Sequence, residues 1–175
     1  MRSIYDLANA YYGLSDFGMC NALMYSIRDQ VLSNLASLEV KDFIASTYGG
    51  HYDKAVFHLH VEIANTHARL LETSRALEIL SQVNSMIKGD KMMKMYYNDV
   101  LAEVYIKRNQ RNLAIEVLKE ARALDLDTQS CENIGTHLLR NLKRSKKLAQ
   151  KYLDNGLVNQ AEKTFAESLR NSHDI

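Results

Sequence analysis

The sequence of 175 residues contains no proline and no tryptophan, and it has only two cysteines and seven glycines. Proline averages about 5% of residues, so roughly eight or nine prolines are expected in a chain of this length. Their absence favours long helices joined by short polar turns. The two cysteines, Cys20 and Cys131, exclude a disulfide framework and are typical of buried thiols in a reducing compartment.

Long apolar runs and an excess of one charge are also missing. No stretch approaches the ~18 continuous apolar residues of a transmembrane helix, and the first residues lack the apolar run of a secretory signal. Because 22 Lys and Arg balance 21 Asp and Glu, no overall field indicates nucleic acid or a membrane as partner. We expect one domain over 1–175 in the cytoplasm, and a helical segment close to the C-terminus leaves open that this is a fragment.

Apolar side chains recur with a period near 3.6 residues, which predicts amphipathic helices. The pattern is clearest in 92–107 and 111–124, and the short polar joint between them, 108–111, suits antiparallel neighbours. Long alternation with period 2, the mark of strands, is lacking. The sequence therefore predicts an all-α fold of paired helices.

A spacing skeleton repeats four times along the chain. A small residue is followed three positions later by an aromatic residue or His, and nine further on by a second small residue. A large apolar residue follows after four more positions, and a closing residue three later. The four instances are Ala8, Tyr11, Cys20, Met24, Ile27; Ala64, His67, Ala76, Leu80, Val83; Ala102, Tyr105, Ala114, Leu118, Ala121; and Ala149, Tyr152, Ala161, Phe165, Ser168.

The skeleton has a physical reason. Two antiparallel helices approach closely only where small side chains face each other, and the large residue one turn later fills the space beside the crossing. Each hairpin keeps an unpaired apolar face, so successive hairpins stack.

With this skeleton the sequence resembles the tetratricopeptide repeat (TPR) family, best at Leu101, Ala102, Tyr105, Ala114, Leu118 and Ala121. The resemblance implies a right-handed superhelical array of antiparallel hairpins. The family's usual Trp and Pro are missing, and the units are 56, 38 and 47 residues apart instead of about 34. The predicted hairpins are about 3–29, 58–86, 94–124 and 143–171, with irregular helical insertions at about 31–56 and 127–141.

The resemblance is closest to irregular, proline-poor TPR domains of bacterial signalling proteins, including regulators that respond to peptides. It implies a non-enzymatic scaffold that binds a peptide or a protein segment as a regulatory or sensory module. In such an array the first helix of each hairpin lines an inner groove. The candidate groove residues are Tyr5, Asn9, Glu62, Asn65, Asp99, Glu103, Lys146, Lys147 and Gln150.

Each groove residue has an expected role. Asn9 and Asn65 offer both a donor and an acceptor to the backbone of an extended peptide, although Asn is also simply tolerated on a wet face. The acidic residues of the third hairpin and the basic residues of the fourth would select charge. The Lys of the family's clamp for chaperone tails is replaced by Tyr5 and Val61, which disfavours that ligand.

A basic run at 140–151 supplies an alternative function. Arg140, Lys143, Arg144 and Lys147 share one helical face, which could bind anions or nucleic acid. Most such runs are solvated faces, and no aromatic platform for single strands is interleaved, so nucleic acid is disfavoured as a partner.

Sites for chemistry are sparse in the sequence. His51, His58, His60 and His67 form no pair with metal-ligand spacing, so we expect no metal and a packed His67. With no phosphate loop, nucleophile elbow or CxxC pair, we expect neither catalysis nor a cofactor. The remaining alternative is a structural adaptor or oligomerisation domain, such as a homodimer, that uses the apolar faces of the end hairpins.

Overall fold

The computed structural model describes residues 1–127 and 134–173. Over these ranges the chain is all-α and contains no strand. Its helices are α1 (Arg2–Gly13), α2 (Phe17–Ser33), α3 (Leu38–Tyr48), α4 (Tyr52–Arg69), α5 (Thr73–Val83), α6 (Lys91–Lys107), α7 (Arg111–Asp127), α8 (Ile134–Asp154) and α9 (Val158–His173). Among these helices, none has both the length and the apolar character required to cross a bilayer.

The helices form two compact units, Met1–Lys88 and Gly89–Ile175. In the first unit α2 packs against both α1 and α4, while α3 and α5 pack against α4. In the second unit each helix from α6 to α9 packs against the next. The predicted all-α array of helical hairpins is therefore confirmed within each unit.

The predicted segments can be placed on these helices. The first two hairpins, at 3–29 and 58–86, lie in the first unit, and the other two lie in the second. The insertion at 31–56 contains α3, which ends at Gly49 in the left-handed conformation. Residues 128–133 of the other insertion, including Cys131, lie outside the described residues.

The small skeleton positions are buried, as the sequence predicts. All eight are at most 1% exposed: Ala8, Cys20, Ala64, Ala76, Ala102, Ala114, Ala149 and Ala161. The large residues Met24, Leu80 and Leu118 are buried to the same degree. The expectation is wrong for Phe165, which is 42% exposed because it lies on the last described helix, with no further hairpin stacked on it.

The turns of the four hairpins share one backbone conformation. The residue seven positions after the first small residue is left-handed in every hairpin: Ser15, Leu71, Asn109 and Gly156. The next backbone N–H then donates, at 2.9 Å, to the carbonyl of the aromatic or His position. Only Gly156 adopts this conformation without steric cost, so Leu71 carries backbone strain.

Candidate functional site

The first unit gathers polar side chains on a surface shared by α1 and α4. We call this surface the α1/α4 face and define it by five residues, Tyr5, Asn9, Tyr12, Glu62 and Asn65. The Asn65 amide nitrogen donates to the Tyr12 hydroxyl at 3.0 Å and so joins the two helices. The Tyr12 ring in turn packs edge-on against Phe17, with ring centroids 5.4 Å apart.

Glu62 is the carboxylate of the α1/α4 face. Burial raises its pKa above the ordinary value, and a hydrogen bond with the Asn65 side chain offsets only part of that rise. In the part of the chain that the structure describes, no Lys, Arg or His nitrogen forms an ion pair with Glu62. The first unit therefore holds a half-buried acidic group without a compensating positive charge.

Three neighbouring groups respond to the Glu62 carboxylate. Burial raises the pKa of the Tyr5 and Tyr48 hydroxyls, and the charge of Glu62 raises both further. Burial together with Glu62 also raises the pKa of the Cys20 thiol to about 11. Cys20 is therefore protonated at neutral pH, which excludes it as a ready nucleophile.

Tyr5 and Asn9 lie on α1 beside Glu62. The Tyr5 ring is half-buried and contacts Phe43 of α3 edge-on, with ring centroids 5.6 Å apart. Asn9 is exposed, and its side chain hydrogen-bonds the Tyr5 hydroxyl one helical turn away. The structure thus brings together the four groove candidates of the first two hairpins.

His67 has a packing role, as its place in the skeleton predicts. Its Nε2 lies 2.9 Å from the Tyr25 hydroxyl, and its Nδ1 lies 2.5 Å from a carboxylate oxygen of Glu72. These contacts connect α4 to α2 and to the turn before α5. No group of three or more metal-ligating side chains is found among the residues that the structure describes.

In the second unit, charged residues on neighbouring helices form ion pairs with each other. The Arg144 guanidinium makes a bidentate contact with the Asp99 carboxylate, in which Nε donates to Oδ1 at 2.8 Å and Nη2 donates to Oδ2 at 2.7 Å. One turn further along, Lys147 Nζ lies 3.3 Å from Glu103 Oε2. We call this set of four residues on α6 and α8 the α6/α8 face.

Three of the predicted groove residues of the second unit take part in these ion pairs. Asp99, Glu103 and Lys147 are neutralised within the unit, because the parallel helices α6 and α8 present opposite charges to each other. Of the other candidates, Lys146 is exposed, and Gln150 donates to Asp154 at 3.0 Å.

The predicted basic face is likewise not a continuous cationic surface. The Arg144 side chain is only 4% exposed and is paired with Asp99, and Lys147 is paired with Glu103. Lys143 is exposed, and the side chain of Arg140 lies outside the described part of the chain. Two of the four residues of this face are therefore paired with acidic side chains of the same unit.

Two kinds of site feature do not follow from the sequence pattern. Tyr12 and Tyr48 belong to the surroundings of Glu62 and Asn65, but neither occupies a groove position of the skeleton. The pairing of Asp99 with Arg144 also does not follow from it, because opposite charges on successive first helices do not by themselves determine which side chains meet.

Comparison with known proteins supports the fold but names no function. No protein-family model matches the chain, and no curated protein matches its sequence. Two crystal structures are similar, both of a protein from Podosopora anserina assigned as a kinesin light chain with nearly identical TPR-like repeats, one of them a variant form. Each has a TM-score of 0.65 and 19% identity over 99% of this chain, and the match covers 74% or 75% of the other chain. The chain therefore has a TPR-like helical repeat fold.

Proposed function

We propose that this protein is a non-catalytic binding module that recognises a basic segment of a partner protein through the α1/α4 face. The observation that carries the proposal is Glu62, a half-buried carboxylate without a cation among the described residues. TPR-like scaffolds typically mediate protein–protein contacts, and extended segments are a common ligand of such surfaces.

The charge of Glu62 determines which kind of partner segment the α1/α4 face would bind. Holding a carboxylate away from water without a counter-charge costs free energy, and a Lys or Arg side chain from a partner would remove that cost. The half-buried rings of Tyr5 and Tyr12 can contact the aliphatic stem of such a side chain. Asn9 is exposed beside them and can pair with the backbone of the segment.

We further propose a regulatory or sensory role in signalling. Neutralising Glu62 would favour the arrangement in which Asn65 and Tyr12 connect α4 to α1, and so bias the first unit toward one conformation. A cytoplasmic location is part of the proposal, supported by the free and buried thiol of Cys20.

A selection experiment tests the binding function. Random peptides displayed on phage are panned in parallel against the wild-type protein and Glu62→Gln. We expect peptides rich in Lys or Arg to be enriched on the wild type, and this preference to disappear for the variant. Glu78→Gln, on an exposed Glu of α5, removes the same charge and should keep the preference. No enrichment at all, or equal enrichment on all three proteins, contradicts the proposal.

A second candidate function is a structural adaptor that pairs with another copy of the chain. It is favoured by apolar side chains in one stripe along α9, where Val158, Phe165 and Leu169 are 51%, 42% and 56% exposed. Light scattering after size-exclusion chromatography tests this alternative. A dimer that Phe165→Ser converts to a monomer supports it, and a wild-type monomer at high concentration contradicts it.

A further inference from the structure

A cavity of about 370 Å³ opens between α7, α8 and α9 in the second unit. Its floor is apolar, with Leu148 and the ring of Tyr152, and its walls carry three cationic side chains. Pockets for small ligands begin at about this size and combine an apolar lining with a few convergent polar groups. We propose that this cavity binds a small phosphate-bearing molecule with an aromatic or apolar body.

The charge of the lining indicates an anion. The cations are Lys119, Arg122 and Lys163, and Glu167 is the one carboxylate among the described residues of the lining. Glu116, outside the lining, forms an ion pair with Lys119, so the lining and this neighbour together carry an excess of one positive charge. The three cationic side chains suit a phosphate group, because its several oxygens can accept hydrogen bonds from more than one donor.

The cations are incompletely satisfied by the protein itself. Glu167 is shared by two of them, with Arg122 Nη2 at 3.0 Å and Lys163 Nζ at 4.0 Å, the outer limit of an ion pair. The Arg122 side chain is only 14% exposed, and in the described part of the chain its buried Nε finds no acceptor. Because the single carboxylate of Glu167 serves two cations, an anionic ligand would complete the charge balance of the cavity.

The third cation of the cavity, Lys119, lies near the ring of Tyr152. Lys119 Nζ is 6.0 Å from the centroid of the Tyr152 ring and 3.2 Å from a carboxylate oxygen of Glu116. A phosphate held between Lys119 and Arg122 would leave the rest of the ligand above Tyr152 and Leu148. This arrangement explains why we assign an aromatic or apolar body to the ligand.

The site is independent of the proposed protein-binding surface. It lies on α7, α8 and α9, whereas the α1/α4 face belongs to the first unit. Failure of one proposal therefore leaves the other intact.

Phenyl phosphate is the probe, because it combines a phosphate monoester with an aromatic ring. Its binding to the full chain is followed by two-dimensional NMR, with inorganic phosphate and phenol as the single-feature probes. We expect saturable shifts at the backbone amides of the cavity residues, tighter binding of phenyl phosphate than of either simpler probe, and weakening at high salt.

Matched charge variants localise the effect. Lys119→Gln with Lys163→Gln should weaken phenyl phosphate binding by about tenfold or more, since two charge-assisted contacts are removed. Lys143→Gln with Lys146→Gln removes the same charge from exposed positions of α8 outside the cavity, and should leave the affinity within about twofold.

Several results would overturn the proposal. They are the absence of saturable binding of phenyl phosphate to the wild type, shifts that map outside the cavity, and equal weakening by the two double variants. Circular dichroism establishes that both double variants are folded. If Lys119→Gln with Lys163→Gln is not folded, the positions of the NMR shifts in the wild-type protein test the proposal instead.

Discussion

In the first unit the α1/α4 face holds one carboxylate, Glu62, without a cation among the described residues, whereas both acids of the α6/α8 face in the second unit are paired. Arg144 and Lys147 of α8 neutralise Asp99 and Glu103 of α6. The two faces are built from corresponding first helices of the hairpins. Position in the repeat therefore does not decide whether a charged residue is available to a partner. Within the second unit, the basic residues of α8 decide it for the acids of α6.

The difference separates stability from binding. The Asp99–Arg144 pair is a bidentate contact with a buried guanidinium, so its loss would leave a half-exposed carboxylate uncompensated. Glu62 has no such contact to lose, and its charge opposes folding instead of supporting it. The same chemical group thus has opposite energetic effects in the two units.

Packing at the skeleton positions is the feature that the two units share, and breaking it gives the largest expected effect. Leu80→Ala in the first unit and Leu118→Ala in the second should each reduce the free energy of unfolding by about 2–5 kcal/mol. Both side chains are at most 1% exposed. Phe165→Ala, at the corresponding exposed position, should cost less than about 1 kcal/mol. Chemical denaturation measures all three, and a large cost for Phe165→Ala would contradict the packing described here.

Removing the cation of the second unit tests its self-neutralisation. Arg144→Met should lower the free energy of unfolding by about 3 kcal/mol, because Asp99 is left without its partner. Lys143→Met, on the exposed neighbour in the same helix, should change stability by no more than about 0.5 kcal/mol. Thermal and urea denaturation of both variants provide the measurement. A neutral or stabilising Arg144→Met would show that the pair is not needed.

Removing the acid of the first unit should have the opposite sign. The raised pKa of Glu62 means that the folded state holds its proton more tightly than the unfolded state, so stability is lost as pH rises through the folded pKa. At pH 7 Glu62→Gln should therefore stabilise the protein, because the variant carries no charge in this half-buried position. Below the ordinary carboxyl pKa of 4.5 the gain should vanish. Denaturation across the pH range tests this, and a difference independent of pH would contradict it.

The hairpin turns give the smallest expected difference between the units. The first unit places Leu71, which is 68% exposed, in the left-handed conformation that Gly156 adopts in the second. Leu71→Gly should raise the free energy of unfolding by about 1 kcal/mol, because it relieves this strain. Asn109→Gly should raise the free energy of unfolding by only about 0.3 kcal/mol, since Asn tolerates the left-handed conformation. A loss of stability in Leu71→Gly would show that the turn is not strained.

The helices and their crossings could be predicted from the sequence because size and period are local properties. Ala64 and Ala102 are small for a reason that their spacing reveals, and both are fully buried. The left-handed Leu71 could not be predicted, because its side chain disfavours that conformation and only the repeat imposes it. The exposure of Phe165 could not be predicted either, because the skeleton gives it the same position as the buried Leu80 and Leu118.

The candidate site was predicted less well than the fold. Tyr5, Asn9, Glu62 and Asn65 lie together, because positions on one helical face follow from the period. Pairing between α6 and α8 depends on how far the two helices are shifted along their axes relative to each other. Asp99 and Arg144 are 45 residues apart in the sequence, so no local sequence pattern determines that shift.

The most direct test is a double-mutant cycle between Glu62 and a peptide selected on the wild-type protein. Calorimetry compares the peptide with a form in which its basic residue is replaced by Met, each against wild type and Glu62→Gln. We predict a coupling free energy of about 1 kcal/mol or more, because the two charges meet in a half-buried site. Additive effects of the two changes, with no coupling, would contradict the assignment of Glu62 as the receptor for a partner's cation.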